Sequence, residues 1–304
     1  MPHLLVTANK LNKRNRIPAN LPDPSSIIGV VNKGFSFEAN EVAAAAIPNP
    51  SLGKWYQDRD GSFYWGGGLI VEAPSLPDKL PNKLPGIPAN LPADFRLGVD
   101  VSHHNGIPDW DAFKNADANF VFIKISEGVG TKDQKAKENA ANAKAKGLRI
   151  GYYHFCHPDT KSGGSVVNDA IAEANEALQA MADLPKADLP LVLDLEDWSG
   201  GDSILDKTNY LLWVTTFLKR IKDKTGIDPM IYSRKEYLDR KLPSNHGLGN
   251  HKLWLSFYPG QPDCNRTPCP VGWNDWAIWQ YTAKGTIGNS PVLDINILKD
   301  STLF

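Results

Sequence analysis

The segment LPLVLDLEDWSG, residues 189–200, is apolar along most of its length and then abruptly acidic. Side chains two apart on a strand share a face. Asp194 and Glu196 therefore point one way with Val192, and Leu191, Leu193 and Leu195 point the other. Two further apolar runs end in acids: LGVDVSHHNG carries Asp100, and SPVLDIN carries Asp294. Four carboxyl groups brought to one mouth have a chemical use. Like charges raise one another's pKa, so one group keeps its proton near neutral pH and serves as a general acid. Another, ionised, steadies developing positive charge. Glycoside hydrolysis needs that combination. Aromatic residues suited to sugar faces also stand near strand ends: Tyr152, Tyr153, Tyr232, Trp254, Trp279 and Tyr281. Singly, each fits a core as well as a ligand platform, and isolated acids fit a solvated strand end. Convergence on one rim is what gives the set meaning.

The elements that must position these groups alternate in type. Strand-like runs cover 97–101, 120–125, 149–155, 190–196, 229–233, 252–257, 276–281 and 292–294. Helical patterns cover 109–115, 132–146, 166–184, 204–224 and 234–242. Residues 132–146 are rich in Ala, Lys and Glu, strong helix formers, and Gly147 supplies a stop. Residues 204–224 carry an amphipathic stripe, and Gly226 lies just past it. Eight strands with alternating helices predict an α/β fold closed as a barrel. Five strand–helix units followed by three bare strands make it lopsided. In a parallel barrel both strand faces are buried, and the C-terminal rim is the usual active-site mouth. First and last strands are neighbours there, so Asp100 and Asp294 are expected beside Asp194 and Glu196.

Residues 71–95 contain six prolines in a Leu-Pro or Ile-Pro rhythm. Proline fixes its own φ and drives the preceding residue toward extended backbone, so this reads as a semi-rigid linker. It separates 1–70 from 96–304. The hexapeptide IPANLP occurs at 17–22 and again at 87–92. Residues 1–70 show short apolar runs broken by Gly, Pro and Asn, the pattern of a small all-β barrel. Across 304 residues, 33 basic and 34 acidic side chains leave a net charge of −1. That balance argues against nucleic-acid binding by bulk electrostatics. At 41% hydrophobic and 22% charged, the chain is globular. No apolar run approaches the ~20 residues a membrane span requires. Met1-Pro2-His3-Leu4-Leu5 is followed by polar residues, so no secretory signal peptide is expected. Cys156 sits in an apolar run as a buried thiol; Cys264 and Cys269 close a short loop and can pair in an oxidising compartment.

GVDVSHHNG, FIKISEG, GYYHF, LVLDLED, PMIYS, LWLSF, IWQY and PVLDIN, in this order, resemble glycoside hydrolase family 25, the Chalaropsis-type lysozymes. The resemblance covers roughly 96–300. It implies a (βα)5β3 TIM-like barrel and an N-acetylmuramidase that cuts peptidoglycan between N-acetylmuramic acid and N-acetylglucosamine. It makes Glu196 the general acid and Asp194 the second carboxylate, acting as nucleophile or steadying the substrate's acetamido group. Asp100 and Asp294 match the supporting acids. Glu127, Tyr153 and Tyr232 match residues of the cleft, with Trp254 and Trp279 added as substrate-binding aromatics. The pieces VTANKLNKR, SSIIGVVNKGFSF, GKWYQ and GSFYWGGGL resemble a bacterial SH3-like domain, a module that commonly binds cell-wall peptides. No cofactor and a monomer are expected, acting on the wall outside the cytoplasm or in the periplasm.

Three rival readings stay open on sequence. His103, His104, His154, Cys156 and His157 raise the question of a zinc site. Yet on a strand His154 and Cys156 share a face that His157 does not, and no HExxH or paired CxxC spacing occurs. A chitinase-like barrel also places acids on its fourth strand, but its longer acidic pattern needs Asp where Val192 stands. A barrel that has lost activity and only binds walls is the third.

Overall fold

In the computed structural model, residues 3–71, 86–198, 201–299 and 301–303 are described. The chain divides into two compact units, Met1–Asp78 and Lys79–Phe304.

The first unit is a curled seven-stranded sheet. Its strands are β1 (His3–Val6), β2 (Lys10–Arg14), β3 (Ile27–Asn32), β4 (Ser36–Glu41), β5 (Trp55–Asp58), β6 (Phe63–Trp65) and β7 (Leu69–Val71), ordered β3-β2-β6-β5-β4-β1-β7. β2, KLNKR, has no apolar run and gives no strand signal. It pairs with β3 because Leu11 buries and Arg14 turns inward, its Nη1 donating to Asp23 O at 2.7 Å and to Ser26 Oγ. The first IPANLP copy anchors this unit through its isoleucine: Ile17 packs with Ile47 and Trp55.

The second unit is mixed α/β around a closed eight-stranded barrel. In chain order it contains β8 (Arg96–Val101), α1 (Trp110–Asn115), β9 (Ala118–Glu127), the short β10 (Thr131–Lys132), α2 (Ala136–Ala145), β11 (Arg149–Phe155), α3 (Val166–Ala182), β12 (Val192–Asp194), α4 (Lys207–Thr225), β13 (Met230–Arg234), α5 (Lys235–Lys241), β14 (Leu253–Ser256), β15 (Ile278–Gly285) and β16 (Leu293–Leu298). The ring runs β8-β9-β11-β12-β13-β14-β15-β16 and closes β16 onto β8. Pairings are parallel from β8 through β15; β16 is antiparallel to both neighbours. Gly226, at φ 73°, caps α4 in the left-handed conformation, as its place after the amphipathic stripe requires.

Alternation along the strands makes two cores. Outward residues such as Leu191, Leu193 and Leu195 join the helices in the larger cluster. Inward residues Phe120, Phe122, Val192, Met230, Trp254, Ile278 and Leu298 fill the barrel's lower half. Two glycines make room for the phenyl rings. A Cβ on Gly98 would stand 2.6 Å from the Phe120 ring, and one on Gly151 only 2.2 Å from the Phe122 ring. Gly151→Ala is therefore expected to overpack the plug at about 1–3 kcal/mol. For a unit of this size that is a fall in melting temperature of roughly 3–10 °C. Calorimetry of the variant checks it; an unchanged melting temperature would show that the rings yield freely.

The proline-rich stretch differs from its reading as linker in its second half. Residues 72–85 lie outside the described residues. From 86 onward the chain lies on the barrel: Ile87, Leu91 and Phe95 are partly buried against the outer cluster. Phe95 meets Trp276 edge-on at 6.0 Å, and Asn90 Nδ2 donates to Asp263 Oδ1 at 2.8 Å. Ile87 and Leu91, which precede Pro88 and Pro92, supply two of the three anchors, so the second IPANLP, like the first, uses its isoleucine for packing.

Candidate active site

The barrel's apolar plug stops one layer below its upper rim, and the acids begin there. Asp194, the last residue of β12, and Glu196, two residues past the strand, follow Val192 on the inward side. Asp100 and Asp294 are direct cross-strand partners where β8 meets β16. These four carboxyls line one small cavity with Tyr153, Tyr232, Trp254 and Gln280. The convergence expected from sequence is thus present in three dimensions.

The cavity is poor in countercharge and buried, which raises its acids and favours their neutral forms. Burial raises Asp294 to about 8 and Glu196 to about 7. On Glu196 the nearby Arg234 pulls the other way, and Asp197 pushes up. That added acid does not act as a free charge: Arg234 Nη2 lies 2.7 Å from Asp197 Oδ1. Asp194 is raised well above the carboxylate range, first by burial and then by the charge on Glu196. Its Oδ1 is buried and has no hydrogen-bond partner among the described residues. Two such groups cannot both ionise near neutral pH, so the pair keeps a proton there. Lys124, buried on the inward face of β9, lowers both.

Asp100 is raised by burial to about 6, less than its neighbours, because donors converge on it. Gln280 Nε2 and Asn296 Nδ2 donate to the same oxygen, Oδ2, at 2.9 and 2.7 Å. Asp294 shares a further hydrogen bond with it.

A family model for glycosyl hydrolases family 25 matches residues 99–290, the span that holds Asp100, Asp194 and Glu196 and stops just short of Asp294. The chain belongs to this family. It is therefore an enzyme, a glycoside hydrolase. Lysozyme M1 of Streptomyces globisporus is 29% identical over 287 residues, covering 92% of this chain and 90% of that protein. An N,O-diacetylmuramidase of Arthroderma benhamiae is 29% identical over 196 residues, covering 60% of this chain and 75% of that protein. Among solved structures, the bacterial lysozyme from Streptomyces coelicolor superposes with a TM-score of 0.58 at 28% identity, covering 68% of this chain and 93% of that one.

Within this family 25 hydrolase, Trp279 stands away from the cavity and Glu127 stands beyond its lining. Trp279 faces outward: it is fully buried, with Nε1 donating to Phe257 O at 2.7 Å and its ring 5.9 Å from those of Trp276 and Tyr281. β15 gives its inward places to Ile278 and Gln280, so parity excludes Trp279 from the cleft. Glu127 lies at the end of β9, outside the residues that line the cavity. Burial works against its charge, but Lys124 at 2.6 Å and His157 at 3.2 Å outweigh it and hold the carboxyl below its usual range. His157 in turn stacks on Trp198 at 4.6 Å, extending the rim past β12. Tyr153, Tyr232 and Trp254 do line the cavity, with Trp254 edge-on to both tyrosines at 6.3 and 4.8 Å.

Sequence reading missed Gln280, Asn296, Lys124 and Tyr258. Tyr232 Oη donates to Gln280 Oε1 at 2.8 Å, Tyr258 Oη donates to the same oxygen, and Trp254 Nε1 donates to Asn296 Oδ1 at 2.8 Å. The signal available was parity alone: Gln280 and Asn296 are polar residues at inward positions of otherwise apolar strands.

Among the described residues, His154, Cys156 and Glu173 bring ligand-type atoms within 4.8 Å of one another, outside the barrel wall. Their polar atoms already serve one another. His154 Nε2 lies 3.0 Å from Glu173 Oε2, and Nδ1 lies 2.8 Å from Ser126 Oγ. Burial depresses His154 to about 3 and raises Glu173 to about 8, the signs of an uncharged core pair. Cys264 and Cys269 are free, half-buried thiols.

Proposed function

We propose that this enzyme is a lysozyme of the N-acetylmuramidase type, hydrolysing the β-1,4 bond between N-acetylmuramic acid and N-acetylglucosamine in peptidoglycan. The observation that carries the reading is the buried pair Asp194–Glu196 facing one cavity with Asp100 and Asp294, where burial raises both carboxyls, inside a family whose relatives here are named lysozymes and muramidases. Glu196 acts as general acid, protonating the leaving oxygen. Asp194 takes the negative charge of the pair once substrate is bound. An N–H or a developing cation beside Asp194 favours its ionised form and leaves the proton on Glu196. Asp100 and Asp294 support the pair, and Tyr153, Tyr232 and Trp254 form the sugar-facing wall. The first unit acts as an SH3-like wall-binding module on the same substrate, so the protein works where bacterial peptidoglycan is exposed, and as a monomer. Among the described residues no helix is long and apolar enough to cross a membrane.

Digesting purified peptidoglycan and chitin side by side tests the reading. New reducing ends on N-acetylmuramic acid are expected, with chitin cut far more slowly. Preferential release from chitin would favour the chitinase-like reading instead. The same digest followed by NMR is expected to show the product anomer retained. Clean inversion would mean that a water attacks directly from the opposite face.

A further inference from the structure

We infer that Gln280 is a positioning residue: it fixes the single proton of the Asp100–Asp294 pair on Asp294 and keeps Asp100 an ionised acceptor beneath the cleft. Groups that can only donate fix the orientation of the amides around Asp100. An indole N–H has no acceptor role. Trp254 Nε1 therefore meets the carbonyl oxygen of Asn296, at 2.8 Å, and the amide nitrogen of Asn296 must be the end facing Asp100. Gln280 is oriented by two phenols instead. Tyr232 and Tyr258 both reach one end of its amide, and the other end lies 2.9 Å from Asp100 Oδ2. With the carbonyl at the phenols, both phenols donate and Nε2–H completes a second charge-assisted bond to Asp100. Turned over, the amide would set its oxygen against a carboxylate oxygen and lose that bond.

Two N–H donors on one oxygen bind an ionised carboxylate more strongly than a neutral acid, so they favour the anion on Asp100 over a proton on either of its oxygens. The hydrogen bond within the acid pair is then donated by Asp294. Asp294 is the less enclosed partner, so it presents a neutral acid at the rim, while Asp100, 6% exposed, keeps the charge. That charge matters to the reaction proposed above, on which this consequence rests: a fixed anion nearby favours the protonated form of Glu196. Other groups facing Asp100 do not supply the discrimination. From β12, Asp194 and Glu196 repel it; from β11 and β13, Tyr153 and Tyr232 are neutral phenols. From β9, Lys124 spends its charge on Glu127 at 2.6 Å. After β14, Tyr258 bonds Gln280.

The test is a carboxyl-carbon NMR titration of substrate-free wild type, Gln280→Leu and Tyr258→Phe. In Gln280→Leu the lower midpoint of the Asp100–Asp294 pair is expected to rise by about one pH unit, since a charge-assisted donor to the ionised form is gone. Tyr258→Phe, which removes one orienting phenol from a half-exposed ring, should shift it the same way by less. The acid limb of the rate profile should follow both. An unmoved midpoint in folded Gln280→Leu overturns the inference, and if that variant does not fold, an unmoved midpoint in Tyr258→Phe does so. Failure of the muramidase reading shows separately, as wild type that releases no reducing ends while its titration is normal.

Discussion

Glu196→Gln is expected to lower reducing-end release from peptidoglycan by at least about 100-fold, the usual range for losing a general acid being ~10²–10⁴. The amide keeps the shape of the side chain and removes the only thing the leaving oxygen needs, a transferable proton. The reason that proton is present is burial, which raises Glu196 to about 7 in a cavity whose lower half is an apolar plug. Activity of the wild type should fall as pH rises through about 7, because Glu196 then loses its proton. The same shift gives a stability signature that separates chemistry from unfolding. A carboxyl whose folded pKa is raised contributes fully below its unfolded value near 4.5, and that contribution is lost as pH rises through about 7. Glutamine never ionises. The variant should therefore melt at or above the wild-type temperature at pH 8. A variant that is inactive and also melts earlier at pH 8 would point to a structural role. A variant that keeps full activity would remove Glu196 as the acid.

The acidic layer was legible because strands have a period of two. Val192, Asp194 and Glu196 fall on one face in sequence, and in the structure that face is the barrel interior. The leucines between them join the outer cluster. Helix ends were legible for an equally local reason, the glycines at 147 and 226. Trp279 failed because an aromatic near a strand end was weighed by type; its parity, opposite to Gln280, decides its face. The supporting amides were out of reach for a different reason. Gln280 and Asn296 matter through partners 180 and 196 positions away in the chain, and no local pattern encodes those pairings. Residues 86–95 were misjudged because proline spacing describes backbone stiffness. What binds the stretch to the barrel is the intervening Ile87, Leu91 and Phe95. β2 shows the converse: a polar run becomes a strand because its neighbours offer a ladder.

Asp194→Asn should cost about 10²–10³ in turnover, the scale for deleting one preorganised electrostatic group. Its carboxyl lies fully within the barrel, one oxygen has no partner, and burial and the charge on Glu196 both resist its ionisation. A site that leaves an acceptor in this state gains most when substrate brings the missing donor or positive charge. Asparagine removes the charge and keeps the volume, so the fold should persist and substrate binding should weaken far less than turnover. Two roles meet that description: attack on the anomeric carbon, or holding the acetamido N–H while the substrate's own carbonyl oxygen attacks. Asp194→Ala with added azide separates them. If Asp194 is the nucleophile, azide takes its place and a glycosyl azide of inverted configuration accumulates. If Asp194 supports the acetamido group, azide restores little, since the internal nucleophile still lacks its orienting partner. The second outcome is expected, because an unpartnered buried oxygen adjoining the acid on one strand face is placed to accept an N–H. A glycosyl azide in the digest would assign the covalent role.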